Sequence, residues 1–200
     1  MTVIFLNGAG SSGKSSIAKA LVYLSDKPWL TIGIDSFIDM MPSDYTGFGK
    51  KASEGFQFVL RQEDGKPAIA CESGEFGNKI VGAMSKVVKL LADSGLDLII
   101  DEVLFEDELL KNYALELSSH IVYFVCVKCS LEVMEEREFL RGDRAIGLSR
   151  DQYTKVHKGL RPYDLEVDTT SKSSFICATE ILEFIEANPM PRGFKRIEKG

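Results

Sequence analysis

Histidine, cysteine and tryptophan are scarce in this chain of 200 residues, which holds two His, four Cys and one Trp. Neither His120 nor His157 has a Ser or Cys nucleophile in a recognisable arrangement, so a hydrolytic triad is not expected. Cys126 and Cys129 form a C-x-x-C, but a structural zinc site wants a second such pair or His partners at suitable spacing, and neither follows. Cys126 lies inside the apolar run 121–127 and reads as a small core residue. The dense cysteine spacing of small disulfide-stapled domains is missing as well. No stretch approaches the roughly 20 apolar residues of a membrane span. The opening Met1-Thr-Val-Ile-Phe-Leu-Asn-Gly carries no basic lead, so a cytoplasmic protein without a membrane partner is expected. Positive charge is in deficit, 24 Lys+Arg against 30 Asp+Glu, for a net charge of −6. The whole-chain field therefore offers nothing to nucleic acid, and any anionic ligand must be held locally.

What is present suffices for one core. Hydrophobic residues make up 44% and charged residues 27%, the balance of an ordinary folded domain, and the length suits one domain with an insertion. We expect a single domain over residues 1–188, with an insertion at about 43–74 and a lid at about 137–150. Residues 189–200 carry Arg192, Lys195, Arg196 and Lys199 with few apolar neighbours, which reads as a loosely held basic tail.

Val3 to Leu6 is a continuous apolar run rich in β-formers, the pattern of a strand covered on both faces. Ile17, Leu21 and Leu24 then recur at helical spacing. A strand from Leu30 to Ile34 ends at Asp35, and Ile80, Val81, Met84, Val87, Val88 and Leu91 form a wide apolar stripe on a long helix that Gly95 terminates. Further strands are expected at 98–100, 121–127 and 165–167, with helices at about 106–118, 131–140 and 149–157 and a last one through Ile181 and Ile185. Alternation of this kind implies βαβ units: an α/β fold with a parallel sheet and helices on both faces. Between them, residues 56–61 and 67–71 flank Asp64-Gly65, a hairpin turn signal, so the insertion is expected to be antiparallel.

Gly8-Ala9-Gly10-Ser11-Ser12-Gly13-Lys14-Ser15 matches G-x-x-x-x-G-K-[ST] in full, directly after a strand and opening a helix. Ordinary residue usage makes such a match rarer than about 1% per chain. Gly8 and Gly13 let the backbone turn tightly, so that the N–H groups from Gly8 to Ser16 converge on phosphate oxygens at a helix N-terminus. Lys14 supplies charge for the β- and γ-phosphates and Ser15 a hydroxyl for Mg²⁺. ATP and Mg²⁺ are thus the expected cofactors.

A GTPase would carry N-K-x-D late in the sheet, whereas Asn78-Lys79 is followed by Ile-Val. A kinase of small molecules needs a hydroxyl-activating base, a second metal-facing group and cations that close over the transferring phosphoryl. Asp35, at the carboxyl end of the second strand, faces the same crevice as the P-loop and is the candidate base. Asp101, ending the strand at 98–100, is the candidate Mg²⁺ carboxylate, and Glu102 faces either substrate or metal. Arg137, Arg141 and Arg144 are spaced i, i+4, i+7, and one continuous helix would put them on one face, although Gly142 is placed to break it. Arg141 and Arg144 are assigned to the phosphoryl, and Ser36, Glu102 and Arg137 to contacts with the acceptor. The same arginines also suit a solvated face paired with Glu135, Glu136, Glu138 and Asp143. His157 reads as a surface helix residue, and Trp29 as packing beneath the Asp35 loop. Phe37, Met40, Met41 and Phe56 suit either an apolar acceptor pocket or the core. Residues 167–170 border either the adenine or nothing but a strand-to-helix turn.

The P-loop, Trp29-Leu-Thr-Ile-Gly-Ile-Asp35-Ser36-Phe-Ile-Asp39-Met-Met-Pro42, Arg141-Gly-Asp-Arg144 and Val167-Asp168-Thr169-Thr170, in this order, resemble the chloramphenicol phosphotransferase family. The resemblance runs from the first strand to about residue 175. It implies transfer of the γ-phosphoryl of ATP to a hydroxyl of a small molecule, with Asp35 as general base, Lys14 and Ser15 on nucleotide and Mg²⁺, and Arg141 and Arg144 as lid arginines. Glu102 departs from the Asp-Asp pair expected there. Kinases of nucleosides, sugars or nucleotide-sugars on the same scaffold stay open, as does an ATP-binding interaction module without transfer. A homo-oligomer is compatible with everything above.

Overall fold

The computed structural model describes residues 1–63, 65–142, 145–159 and 161–197. In chain order its elements are β1 (Thr2–Asn7), α1 (Lys14–Leu24), β2 (Trp29–Gly33), α2 (Ile34–Asp39), β3 (Thr46–Gly47), β4 (Phe56–Glu63), β5 (Lys66–Ser73), α3 (Glu75–Asp93) and β6 (Asp97–Glu102). There follow α4 (Asp107–Glu116), β7 (Ile121–Lys128), α5 (Leu131–Arg141), α6 (Leu148–Tyr153), β8 (Leu165–Asp168), α7 (Ser174–Ala187) and α8 (Gly193–Ile197). No described helix is long and apolar enough to cross a membrane.

Five strands form a parallel sheet in the order β2-β6-β1-β7-β8. The apolar runs read in the sequence are its central strands, where both faces are covered and continuous Val, Ile, Leu and Phe are therefore required. Alternate residues of β1 divide between two cores: Val3 and Phe5 pack with Met84, Val88, Tyr113 and Phe124. Ile4 and Leu6 pack with Ile17, Leu21, Cys177 and Ile181. One face is thus covered by α1 and α7 and the other by α3 and α4, the two-sided α/β arrangement that the alternation implies. Register then decides the site. Leu6 stands opposite Asp101 and Asn7 opposite Glu102, so the loop that follows β1 leaves the sheet beside the acidic end of β6.

The insertion is a hairpin of β4 and β5, antiparallel as expected, but β3 joins β4 in parallel through Thr46 and Gly47, so the small sheet is mixed. Its turn residue Asp64 lies outside the described residues. Gly147 gives its carbonyl to the Ile69 N–H at 3.0 Å, which seats the hairpin against the start of α6.

The C-terminal segment departs from expectation. Arg192, Lys195 and Arg196 are present as basic groups, but α8 docks on the core: Phe194, 4% exposed, lies 5.3 Å from the Phe5 ring and 5.2 Å from Phe124. Asp164 anchors the entry, its Oδ1 accepting from the Arg192 and Gly193 N–H groups. Two apolar residues three apart are too short a pattern to announce a helix, and their burial is visible only once the sheet face exists. We expect Phe194→Ala to lower the free energy of unfolding by about 3–5 kcal/mol, read from urea denaturation; a loosely held tail would leave it unchanged.

Candidate active site

The P-loop is built by β1 and α1. Gly13 sits at φ +94°, a conformation that side chains resist, and this turn aims the first N–H groups of α1, which have no carbonyl within the helix, into the loop. Ser11 also has a positive φ, of 61°. Lys14, 6% exposed, donates from Nζ to the Ala9 carbonyl at 3.0 Å and lies 3.6 Å from Asp101 Oδ1. The Ser15 hydroxyl donates to Asp101 Oδ2 at 2.5 Å.

Two observations bear on what this loop holds. The hydroxyls of Ser11 and Ser12 are buried with no hydrogen-bond partner among the described residues, which a phosphate oxygen would supply. Ser15 Oγ and Asp101 form the hydroxyl-plus-carboxylate oxygen set that Mg²⁺ takes while keeping waters and phosphates as its other ligands. Both fit a magnesium-bound nucleotide.

A cavity of about 460 Å³ opens from the P-loop between α5 and the start of α7, lined by Lys14, Ser15, Arg137, Arg141 and Thr169 among others. A second, of about 600 Å³, lies over β6 and α2 and is lined by Asp35, Glu102, Gln152, Phe56, Phe58 and Arg141 among others. Arg141 lines both. Asp35 reaches the second because Gly33 lets β2 approach β6: a Cβ there would stand 2.0 Å from the Asp101 carbonyl oxygen.

Glu102, 2% exposed, accepts from the Tyr113 hydroxyl at 3.0 Å. Burial pushes its carboxyl up to about 8 against the lowering effect of that hydrogen bond. Phe56 and Phe58 of the hairpin form part of the wall, which gives the insertion its place in the site.

Several expected residues sit elsewhere. Arg137 lines the first cavity, not the second: its guanidinium donates to Thr169 Oγ1 at 3.0 Å and to the Thr169 carbonyl at 2.7 Å. It belongs there because one turn of helix separates it from Arg141, and the two cavities meet at that turn. Ser36 is exposed and absent from the lining of the second cavity; its hydroxyl accepts from the Gly33 N–H at 3.3 Å, a local cap at the start of α2. Arg144 lies outside the described residues. The helix carrying Arg137 and Arg141 ends at Gly142, at φ +66°, so the single arginine face stops at Arg141. Phe37 is core and Met40 points outward. Trp29 lies at the other end of β2, donating to Ser25 Oγ at 2.8 Å. His157 is half-buried, 3.0 Å from the Tyr163 hydroxyl, and the C-x-x-C thiols are free and buried, with burial pushing Cys126 up to about 12.

Sequence reasoning missed the contribution of α6. Gln152 accepts from the Gly10 N–H at 2.6 Å, and the Ser149 hydroxyl lies 3.2 Å from the Gly10 carbonyl, so a polar helix holds the crown of the P-loop. Glu138, on α5, accepts from the Gly147 N–H at 2.7 Å and the Ser149 N–H at 2.8 Å. We expect Glu138→Ala, which strands these buried donors, to cost about 2–4 kcal/mol of stability and to weaken nucleotide binding, measurable by denaturation and nucleotide titration. Asn7, a polar residue ending an apolar strand, is a further brace: its Oδ1 accepts from the Leu104 N–H at 2.9 Å and its amide donates to the Tyr163 hydroxyl at 2.7 Å.

Comparison with known proteins decides the family, since residues 1–186 match the chloramphenicol phosphotransferase-like proteins. The chain belongs to this family. Within curated proteins it is 30% identical over 198 residues to "Putative O-phosphotransferase MT2714" of Mycobacterium tuberculosis (strain CDC 1551 / Oshkosh), covering 98% of this chain and 88% of that protein. In fold, the chloramphenicol phosphotransferase-like chain is similar to the Mycobacterium tuberculosis APS kinase CysC in complex with AMPPNP and APS, with a TM-score of 0.61, 16% identity, and 92% and 97% of the two chains covered. Shikimate kinase from Acinetobacter baumannii follows at a TM-score of 0.52 and 16% identity, covering 93% of each chain. The fold is that of P-loop kinases, and the family makes this chain a kinase-type phosphotransferase.

Proposed function

We propose that this protein transfers the γ-phosphoryl of Mg²⁺-bound ATP to a hydroxyl of a small molecule. The observation that carries the reading is the junction of the two cavities at Arg141, with Lys14 on one side and Asp35 on the other. Nucleotide fills the first cavity, its phosphates on the amides from Gly8 to Ser16 and on Lys14, with Ser15 and Asp101 holding the metal. Mg²⁺ supplies charge neutralisation at the β- and γ-phosphates.

The acceptor lies in the second cavity with its hydroxyl at Asp35. Asp35 takes the hydroxyl proton as the acceptor oxygen bonds to Pγ; the bond from Pγ to the β,γ-bridging oxygen breaks and ADP leaves with that electron pair. Lys14 and Arg141, together with Arg144, stabilise the charge on the transferring group. Residues 137–150 act as the lid, with Gly142 as its pivot.

The test is to incubate the protein with Mg²⁺-ATP and panels of hydroxylated antibiotics (chloramphenicol included), nucleosides and sugars. ADP release is followed together with the gain of one phosphoryl by mass spectrometry. A phosphorylated alcohol is expected. ATP turnover without any phosphorylated acceptor, or no turnover with any panel, would overturn the reading.

A further inference from the structure

The C-x-x-C at the end of β7 takes no part in the site described above, and the fold separates its two thiols. Cys126 is fully buried within the strand, whereas Cys129 lies past the strand end, 7% exposed, and lines a third cavity of about 440 Å³. Among the described residues this cavity shares no lining residue with the nucleotide and acceptor cavities. The P-loop contributes Ala9 and Ser12 to it, α5 contributes Met134, and the stretch after α6 contributes Val156 and His157.

Two observations give this cavity a ligand and a consequence. The Ser12 side chain, in a residue 1% exposed, has no hydrogen-bond partner among the described residues, and Ser12 lines this cavity while Ser11 lines the nucleotide cavity. A molecule here with a carbonyl oxygen meets an unused donor. Cys129 Sγ accepts from Arg137 Nη1 at 3.3 Å, and the same guanidinium, a lining residue of the nucleotide cavity, donates to the Thr169 hydroxyl and carbonyl. The thiol thus links the two cavities through one contact.

The other thiols compete poorly, because burial pushes Cys126 up to about 12, Cys71 up to about 11 and Cys177 up as well. The charged groups of the lining are Lys128, which pairs with Glu166, and Asp168, which accepts from the Thr170 N–H at 2.8 Å. Burial holds His157 below its usual value. Such a lining suits an uncharged molecule, and its volume lies in the range of small-ligand sites.

We propose that Cys129 is a covalent modification site for a small uncharged α,β-unsaturated carbonyl compound, and that the adduct weakens nucleotide binding through Arg137. The carbonyl oxygen accepts from the Ser12 hydroxyl while the sulfur bonds to the β-carbon; the thiol proton ends on the α-carbon and no group leaves. The bulk added at the sulfur displaces the Arg137 guanidinium from its place beside Thr169. The consequence rests on the reading of the first cavity as the nucleotide site.

N-ethylmaleimide, an uncharged unsaturated imide, tests this on the full chain. Peptide mass spectrometry follows each cysteine with time, and calorimetry with AMPPNP and Mg²⁺ measures nucleotide affinity before and after treatment. Cys129 is expected to be alkylated about tenfold faster than Cys71, Cys126 or Cys177. The adduct, its fold checked by circular dichroism, is expected to bind AMPPNP about tenfold more weakly. In Cys129→Ser, or in Cys129→Ala where the serine variant does not fold, treatment should leave the AMPPNP affinity of that variant where it was. Ser12→Ala should slow the alkylation of Cys129. Faster reaction at another cysteine, a loss of affinity that persists in the Cys129 variants, or an unslowed Ser12→Ala overturns the proposal. An adduct with parental affinity overturns it and leaves the nucleotide reading standing, whereas no AMPPNP binding by the untreated protein removes both.

Discussion

Asp35→Asn is expected to lower kcat with an active acceptor by about 10²–10⁴-fold, the range in which removing a positioned general base acts. The amide keeps the size of the side chain and its place in the lining of the acceptor cavity, so binding of both substrates should stay within a few-fold of the parent. The distinction lies in which constant moves. A residue that merely packed at the start of α2 would show its loss in thermal stability, whereas a base shows it in kcat with nucleotide affinity kept. Equal turnover by the variant would remove Asp35 from the chemistry and leave the acceptor cavity without an assigned base.

Lys14→Met should act on the other side of the junction. Its ammonium is held at the Ala9 carbonyl and near Asp101, inside a loop in which the Ser11 and Ser12 hydroxyls have no partner among the described residues. Methionine fills the same space without charge. Transfer is expected to fall by about 10²–10³-fold, as for loss of one preorganised charge at the transition state, and ATP affinity should fall with it. The pair of variants therefore separates the cavities: one impairs chemistry with nucleotide bound, the other impairs nucleotide and chemistry together. Titration of a fluorescent nucleotide alongside single-turnover transfer measures both. Unchanged nucleotide affinity in Lys14→Met would mean that the phosphates do not lie where the loop's geometry places them.

The parts of the site that could be read from residues alone are those whose chemistry is local. The P-loop is eight consecutive residues in which a positive φ at Gly13 and the charge of Lys14 act on a ligand within the same turn, so the motif carries its own geometry. Asp35 and Asp101 were legible as strand ends, because parallel strands deliver their carboxyl ends to one edge. Glu102 likewise follows from its place in β6, although only burial explains why its carboxyl is pushed up.

The remainder required long-range packing. Arg137 and Arg141 are one turn apart on α5, and no local signal says that the boundary between two cavities falls there. Ser36 looked available for substrate because its partner is a backbone N–H, invisible in side-chain patterns. A helix as polar as Ser149-Arg150-Asp151-Gln152 reads as solvated, yet all four residues are buried, since Glu138 and the Gly10 backbone satisfy Ser149 and Gln152 while Glu135 and Lys155 pair Arg150 and Asp151.

By itself, then, the sequence determined an α/β domain with a phosphate-binding loop and two strand-end acids, because backbone conformation and hydrophobic periodicity act over a few residues. Tertiary structure alone decided how the arginines divide, which polar helix braces the loop, and that α8 closes the core. Those outcomes depend on which surfaces meet across the sheet, and contacts between residues far apart in the chain leave no periodic trace in it.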